Sequence, residues 1–316
     1  MRREDPEMWL WIGLLLAAFL IALPFILERL RRPIDETARR NAPGRFADLT
    51  QGKTHYQWHG HVDGPVIVLV HGLTTPSYVW DALIPRLSVM GFRILTYDLY
   101  GRGYSDRAGG RQDCDFFLMQ LEDLLIDQGI GEDFSLLGYS MGGAIATCFA
   151  ARHPESIDRL ILLAPTGLSY RPSRFARFVA RTPLIGDWLM GVFGGFVIRR
   201  GILSEAETPS EVPDIYEKQA RETRRRGFLP AVLSSLRHLL SKDMAEAHRA
   251  LAKTDIPVLA VWGERDEVIG PEGLARMAEL NRRARQAEVP GATHSMAYTC
   301  PDDVIRAMQE FLREVV

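Results

Sequence analysis

The chain has 316 residues, a formal net charge of −2 and 25% charged residues. That length allows a large buried core, and the near-neutral balance, without a basic stripe interleaved with aromatics, argues against a nucleic-acid partner. Cysteine occurs at Cys114, Cys148 and Cys300 only, an odd, widely spaced set that is no disulfide framework, so reduced thiols are expected.

The first element is 8–27, which is apolar and carries no charge. As a helix it spans about 30 Å, the thickness of a bilayer core. A secretory signal with Arg2 and Arg3 as its charged start is the rival reading. A signal's apolar region, however, runs to about 7–15 residues, and no small-x-small cleavage site follows this one. The expectation is an uncleaved transmembrane helix preceded by a short tail, 1–7. Pro24 near its end kinks such a helix without preventing insertion. Arg29, Arg31, Arg32, Arg39, Arg40 and Arg45 follow the span and only Arg2 and Arg3 precede it. The rest of a single-pass protein is therefore expected in the cytoplasm. Residues 28–43 read as a charged tether in which Pro33 and Pro43 limit helix continuation.

His55, His59 and His61 lie close together, but without a nearby cysteine or finger-type spacing they read as a solvated hairpin rather than a metal site. Val66–Val70 is a continuous apolar run, expected of a strand buried on both faces, and leads into His71-Gly72-Leu73. Arg93–Tyr97 is a second such strand; the glycines of the following 98–106 read as turn geometry. Residues 134–137 form a mostly apolar strand that meets Gly138-Tyr139-Ser140-Met141-Gly142 and then an alanine-rich helical run. A serine at such a strand-to-helix turn is held in a strained conformation with its hydroxyl exposed, and small residues two positions either side let the chain pass close to its neighbours.

After the strand at 159–164, residues 166–254 read as a helical insertion. Within it, 184–198 is strongly apolar but broken by Asp187, Gly191, Gly194 and Gly195. This segment packs a cap onto the core, or forms a lid that lines an acyl-chain pocket or touches lipid. Arg221, Arg224, Arg225 and Arg226 of the insertion read as a solvated helix face or, beside a membrane, as contacts for anionic headgroups. Strand 257–262 then leads to Gly263-Glu264-Arg265-Asp266, and strand 284–289 to Gly291-Ala292-Thr293-His294.

At 66–73, 93–106, 134–142 and 257–294 the chain resembles the α/β-hydrolase superfamily, in its cap-bearing serine esterase or monoacylglycerol-lipase-like branch. The resemblance implies an α/β fold, a mostly parallel sheet flanked by helices, with core parts at 44–165 and 255–316 and a helical cap at 166–254. Such folds place their chemistry at strand ends. A serine nucleophile needs a base within reach and a third group to orient the base. Ser140, Asp266 and His294 follow the order serine, acid, histidine that this fold imposes. By the same resemblance the N–H groups of Leu73 and Met141 form an oxyanion hole, and His71 shapes its loop. Glu264 and Glu267 flank the acid position, where the usual spacing favours Asp266. The alternative site for the acid, after strand 159–164, fails because 165–181 contains no acidic residue.

No cofactor and no metal are implied. Haloalkane dehalogenases and epoxide hydrolases carry aspartate in place of Ser140, and dehalogenases usually tryptophan in place of Met141, which disfavours both. The expected function is a membrane-anchored serine hydrolase cleaving carboxylic esters, preferably lipid-derived ones such as monoacylglycerols or lysophospholipids, through an acyl-enzyme. Thioester and carbon–carbon bond hydrolysis use the same residues. A non-catalytic scaffold that binds lipid or a partner through the cap is the reading from another class, and the intact set of three residues opposes it.

Overall fold

The computed structural model describes residues 6–314. Eight strands form one sheet: β1 (Arg45–Leu49), β2 (Gly52–Gly60), β3 (Val66–Val70), β4 (Arg93–Tyr97), β5 (Phe134–Tyr139), β6 (Ile157–Leu163), β7 (Val258–Gly263) and β8 (Arg285–Val289). Their order is β1-β2-β4-β3-β5-β6-β7-β8. The pairs β1·β2 and β2·β4 are antiparallel and all others parallel. The apolar runs explain the centre of the sheet: Val68, Leu69, Leu136 and Leu137 are fully buried, as strands covered on both faces require. The chain leaves β3 toward β4 on one side and later takes β5 on the other. The carboxyl ends of β3 and β5 are thus a topological switch point, where such sheets bind ligands.

The helices in chain order begin with α1 (Pro6–Leu30), α2 (Glu36–Arg40), α3 (Ile84–Val89), α4 (Cys114–Asp127) and α5 (Met141–Arg152). Of these α5 packs on β5 and β6, and α3 on β2 and β4. Between β6 and β7 come α6 (Arg174–Arg181), α7 (Ile185–Leu189), a π-helical turn at Met190–Gly194, α8 (Gly195–Ser204), α9 (Ile215–Glu222), α10 (Phe228–His238) and α11 (Ala245–Leu251). Helix α11 lies against α5. The chain closes with α12 (Glu272–Leu280), the single turn α13 (Met296–Thr299) and α14 (Pro301–Glu314), which packs on β7 and β8.

Helix α1 continues to Leu30, beyond the apolar span, and is long and apolar enough to cross a membrane. Its far end is folded against the insertion between β6 and β7. Pro24 has no N–H, so the carbonyl of Leu20 is released from the helix ladder. The indole N–H of Trp188 donates to that carbonyl at 2.7 Å. One turn on, Gly191 packs against the Pro24 ring so closely that a Cβ there would clash with it, and its carbonyl accepts from Arg31 at 2.8 Å. Glu28 takes the Gly227 N–H, Arg226 donates to the Arg29 carbonyl at 2.6 Å, and Arg32 makes a parallel bridge with Arg225. The apolar segment at 184–198 therefore packs on α1, while Leu184, Ile185, Phe193 and Phe196 remain exposed.

The histidines of β2 differ from the solvated hairpin expected of them. His55 is buried, and its Nδ1 lies 2.8 Å from Asp98 Oδ2. Burial pulls the imidazole down, but the Asp98 hydrogen bond and charge outweigh it, so the pKa of His55 is raised. Burial lifts Asp98 too, and the His55 bond and charge more than reverse it, leaving that carboxylate below its ordinary range. An unpaired buried charge is costly, and each group of this pair makes the other tolerable. His59 is half-buried with Nε2 3.2 Å from Thr96 Oγ1, and His61 is exposed. Among the described residues no cluster of three or more His, Cys, Asp or Glu side chains has a metal-binding arrangement.

Candidate active site

Ser140 follows β5 directly and precedes α5, with φ 55° and ψ −117°. A non-glycine residue in that region is strained, and the surroundings hold it there. Its N–H donates to Leu163 O at 2.9 Å, and its own carbonyl accepts from Gly143 N–H at 2.9 Å and Thr166 N–H at 3.1 Å. Glycine is required on both sides. A Cβ at Gly142 would overlap the carbonyls of Val70 and His71, and one at Gly138 would overlap Gly142 itself.

His294 sits in the loop after β8. Its Nε2 is 2.9 Å from Ser140 Oγ, and its Nδ1 is 2.8 Å from Asp266 Oδ2. The second carboxylate oxygen of Asp266 accepts the N–H groups of Val268 and Ile269 at 2.8 and 2.9 Å, which fixes the carboxylate plane in a nearly solvent-free position. The imidazole is steadied as well, since Tyr139 OH donates to the His294 carbonyl at 2.7 Å and the two rings lie 5.4 Å apart, tilted by 30°. Of the flanking acids, Glu264 turns away and accepts the Gly291 N–H at 2.6 Å, whereas Glu267 borders the cavity without bonding His294. Asp266 alone of the three reaches the histidine.

Leu73 and Met141 flank the serine. Gly72 is so near Ser140 that a Cβ there would stand 3.3 Å from the serine Cβ. Neither the Leu73 N–H nor the Met141 N–H donates to any described residue, and the second is one of the orphan donors of a helix start. The arrangement leaves one unbonded N–H on the residue after Ser140 and another on Leu73, which lines the same cavity as Ser140.

The loop at 98–106 does more than turn. Asp98 accepts the Ser77 and Tyr104 N–H groups, each at 2.9 Å. Gly103 has φ 49°, and a Cβ there would collide with the Asp98 carboxylate. Burial lowers His71 to about 4, so the ring is neutral, with Nδ1 2.8 Å from Gly72 O and Nε2 accepting the Leu99 N–H at 2.8 Å. Arg102, fully buried, donates to the Leu73 carbonyl at 3.0 Å and to Ser235 Oγ of α10 at 2.8 Å. Reading 98–106 as turn geometry missed this clamp. The available signal was a guanidinium and a carboxylate placed directly after a buried strand.

A cavity of about 590 Å³ opens above Ser140 and His294. One side is apolar, with Val179, Met190, Ile198, Ile202, Val232 and Leu236. The other is polar: Ser295 Oγ donates to Glu205 at 2.7 Å, Tyr298 OH to Ser295 at 2.9 Å, and Gln219 to Thr75 Oγ1 at 2.9 Å.

A family model of the alpha/beta hydrolase fold matches residues 65–299. Epoxide hydrolase 3 of Xenopus tropicalis is 25% identical, over 96% of this chain and 92% of its own length. A haloalkane dehalogenase of Mycolicibacterium paratuberculosis is 28% identical, over 75% of this chain and 77% of its own. Among solved structures, a membrane phospholipase A described as a bacterial virulence factor superposes with a TM-score of 0.67 across 98% of each chain at 19% identity, a likeness of fold.

Proposed function

The chain belongs to the alpha/beta hydrolase fold family, and within it we propose that this protein is a membrane-anchored serine hydrolase of carboxylic esters, preferably lipid-derived. The observation that carries this reading is the unbroken hydrogen-bonded line from Ser140 Oγ through His294 to Asp266 at the floor of the cavity. In the reaction His294 Nε2 takes the Ser140 proton as Oγ attacks the ester carbonyl, and the charge that develops on the carbonyl oxygen is met by the Leu73 and Met141 N–H groups. The tetrahedral intermediate collapses to an acyl-enzyme, and the leaving alkoxide takes the proton from His294. Water then repeats the sequence: it gives a proton to His294, attacks the acyl carbon and releases the acid, and Oγ recovers the proton. Asp266 holds the Nδ1–H tautomer and stabilises the imidazolium in both halves. Each oxyanion donor is worth about 3–4 kcal/mol in such sites. The two named relatives hydrolyse other bonds. Ser140 stands where their classes are expected to carry aspartate, and an alcohol nucleophile paired with histidine suits acyl transfer.

Lipid preference and anchoring rest on the seam between α1 and the cap. The segment that lines the apolar side of the cavity with Met190, Ile198 and Ile202 also packs on α1. Trp188, Gly191, Arg226 and Gly227 make their bonds to residues 20–31, so removal of α1 as a cleaved signal would strip the cap of them. The arginines after α1 favour a cytoplasmic hydrolase domain. The test is release of fatty acid by the full chain from monoacylglycerol or lysophospholipid in vesicles, with a water-soluble short ester alongside. Hydrolysis of both supports the reading. Turnover of an epoxide or a haloalkane without either ester overturns it.

A further inference from the structure

We propose that the cleft between the end of α1 and the cap binds an anionic phospholipid at a site separate from the Ser140 cavity. The inference rests on α1 being a membrane anchor, and it is independent of the hydrolytic chemistry. The cleft measures about 350 Å³. Four of its lining residues are arginines, Arg31, Arg32, Arg199 and Arg224. Arg31 is paired with Glu28, and Arg199 donates to the uncharged Thr223 Oγ1 at 3.0 Å. The side chains of Arg32 and Arg224 make no hydrogen bond or ion pair with any described residue.

Those two cations are held together by the backbone. Arg32 N–H donates to Arg224 O at 3.0 Å, and Arg226 N–H donates to Arg32 O at 2.8 Å. Like charges fixed side by side repel, no carboxylate lines the cleft, and nearby Glu28 is already paired with Arg31, so an anion is the missing partner. Leu27, Val192 and Phe196 complete the walls, and Phe196 is 59% exposed. A free phosphate would make no use of that apolar surface. A phospholipid uses both halves, with its phosphate between the guanidinium groups and its chains against the apolar residues. The location suits it, because Leu27 and Leu30 stand on the last turns of α1, where hydrocarbon gives way to headgroups. Arginine is the residue suited to bidentate phosphate contact. Helix α8 carries Phe196 and Arg199 into this cleft and Ile198 and Ile202 into the Ser140 cavity, so the two sites lie on different faces of one helix.

The test uses the full chain carrying Ser140→Ala, so that no lipid is consumed, in phosphatidylcholine vesicles containing a minority of phosphatidylglycerol. Lipid retained after mild detergent extraction is read by native mass spectrometry. The expected result is selective retention of phosphatidylglycerol, weakened roughly thirty-fold by Arg32→Gln with Arg224→Gln, two charges lost at the headgroup level. Arg32→Lys with Arg224→Lys, which keeps the charges but not the bidentate fork, should fall between the unmodified arginines and the glutamine pair, and glycerol 3-phosphate should fail to displace the lipid. Equal retention of both lipids, equal retention by the glutamine variant, or displacement by glycerol 3-phosphate would overturn the site. The same glutamine pair in the chain with Ser140 intact should hydrolyse a water-soluble ester at the unmodified rate, which reports its folding. Should that pair fail to fold, Arg224→Gln alone, with an expected loss of roughly five-fold, decides the matter. Flotation with pure phosphatidylcholine vesicles separates the two readings: a chain that does not float refutes the anchor and the site together, and one that floats without selectivity refutes the site alone.

Discussion

The strand-end cluster around Ser140 and the seam between α1 and the cap border the same cavity, yet they are held in different ways. Around Ser140 each reacting group is fixed by bonds on several sides: Asp266 by two N–H groups and His294, the serine backbone by Leu163, Gly143 and Thr166. The seam is joined by side chains that reach stray carbonyls, Trp188 to Leu20 and Arg31 to Gly191, and by the backbone pair of Arg32 with Arg224 and Arg226. Multiple constraint gives a site set to within tenths of an ångström, which general-base chemistry demands. None of the seam's bonded residues touches Ser140, His294 or Asp266, so a change there is expected to reach the serine more weakly than one within the cluster.

The sharpest break of this contrast comes at the cluster. Ser140→Ala is expected to lower turnover of any ester by on the order of a million-fold, and Asp266→Asn by about ten-thousand-fold, both measured with a water-soluble ester and with melting temperature nearly unchanged. Glu264→Gln, which removes a charge but keeps an oxygen to accept the Gly291 N–H, should leave turnover almost intact.

Arg102 lies between the two regimes, because it joins the Leu73 carbonyl to Ser235 of the cap. Arg102→Met should lower kcat by about a hundred-fold through a displaced Leu73 N–H. KM for a short ester should change little, and affinity for a transition-state analogue should fall with kcat. Arg102→Lys should restore part of the loss.

At the seam, Trp188→Phe keeps an aromatic side chain, though a smaller one, and removes the N–H that satisfies Leu20 O. A lost hydrogen bond of about 1 kcal/mol corresponds to a several-fold fall in activity on vesicle lipid, with activity on a soluble ester unchanged. Equal loss on both substrates would mean the seam supports the cluster directly, and the contrast would fail.

The smallest effect on turnover belongs to His55. Its folded pKa is raised above the ordinary imidazole value of 6.5, so its stabilising charge on Asp98 is fully present below that value and is lost as pH rises through the folded pKa. The melting temperature should therefore decline across that window, and His55→Gln should flatten the decline while costing about 2 kcal/mol at low pH.

The cluster was legible because its signals are local in sequence: apolar runs of strand length, each ending in a glycine-punctuated turn with one reactive side chain. The sheet followed from the same runs. Two things were not legible, and for one physical reason. The buried state of His55 depends on Asp98, 43 residues away, and the seam on contacts such as Trp188 with Leu20, 168 residues apart. Polar groups paired across such separations leave no periodicity or spacing to read. His55 looked like a surface histidine and 221–226 like a solvated face until the chain brought Asp98 and Arg32 beside them.

The central claim is an activated hydroxyl at Ser140, and a fluorophosphonate tests it most directly, since it reacts with such a serine without knowledge of the substrate. Intact mass followed by peptide mapping of the full chain should show one adduct, on the peptide containing Ser140, absent after Ser140→Ala and nearly absent after His294→Ala. Absence of an adduct from the folded chain, or one that persists on another residue in Ser140→Ala, would contradict the account.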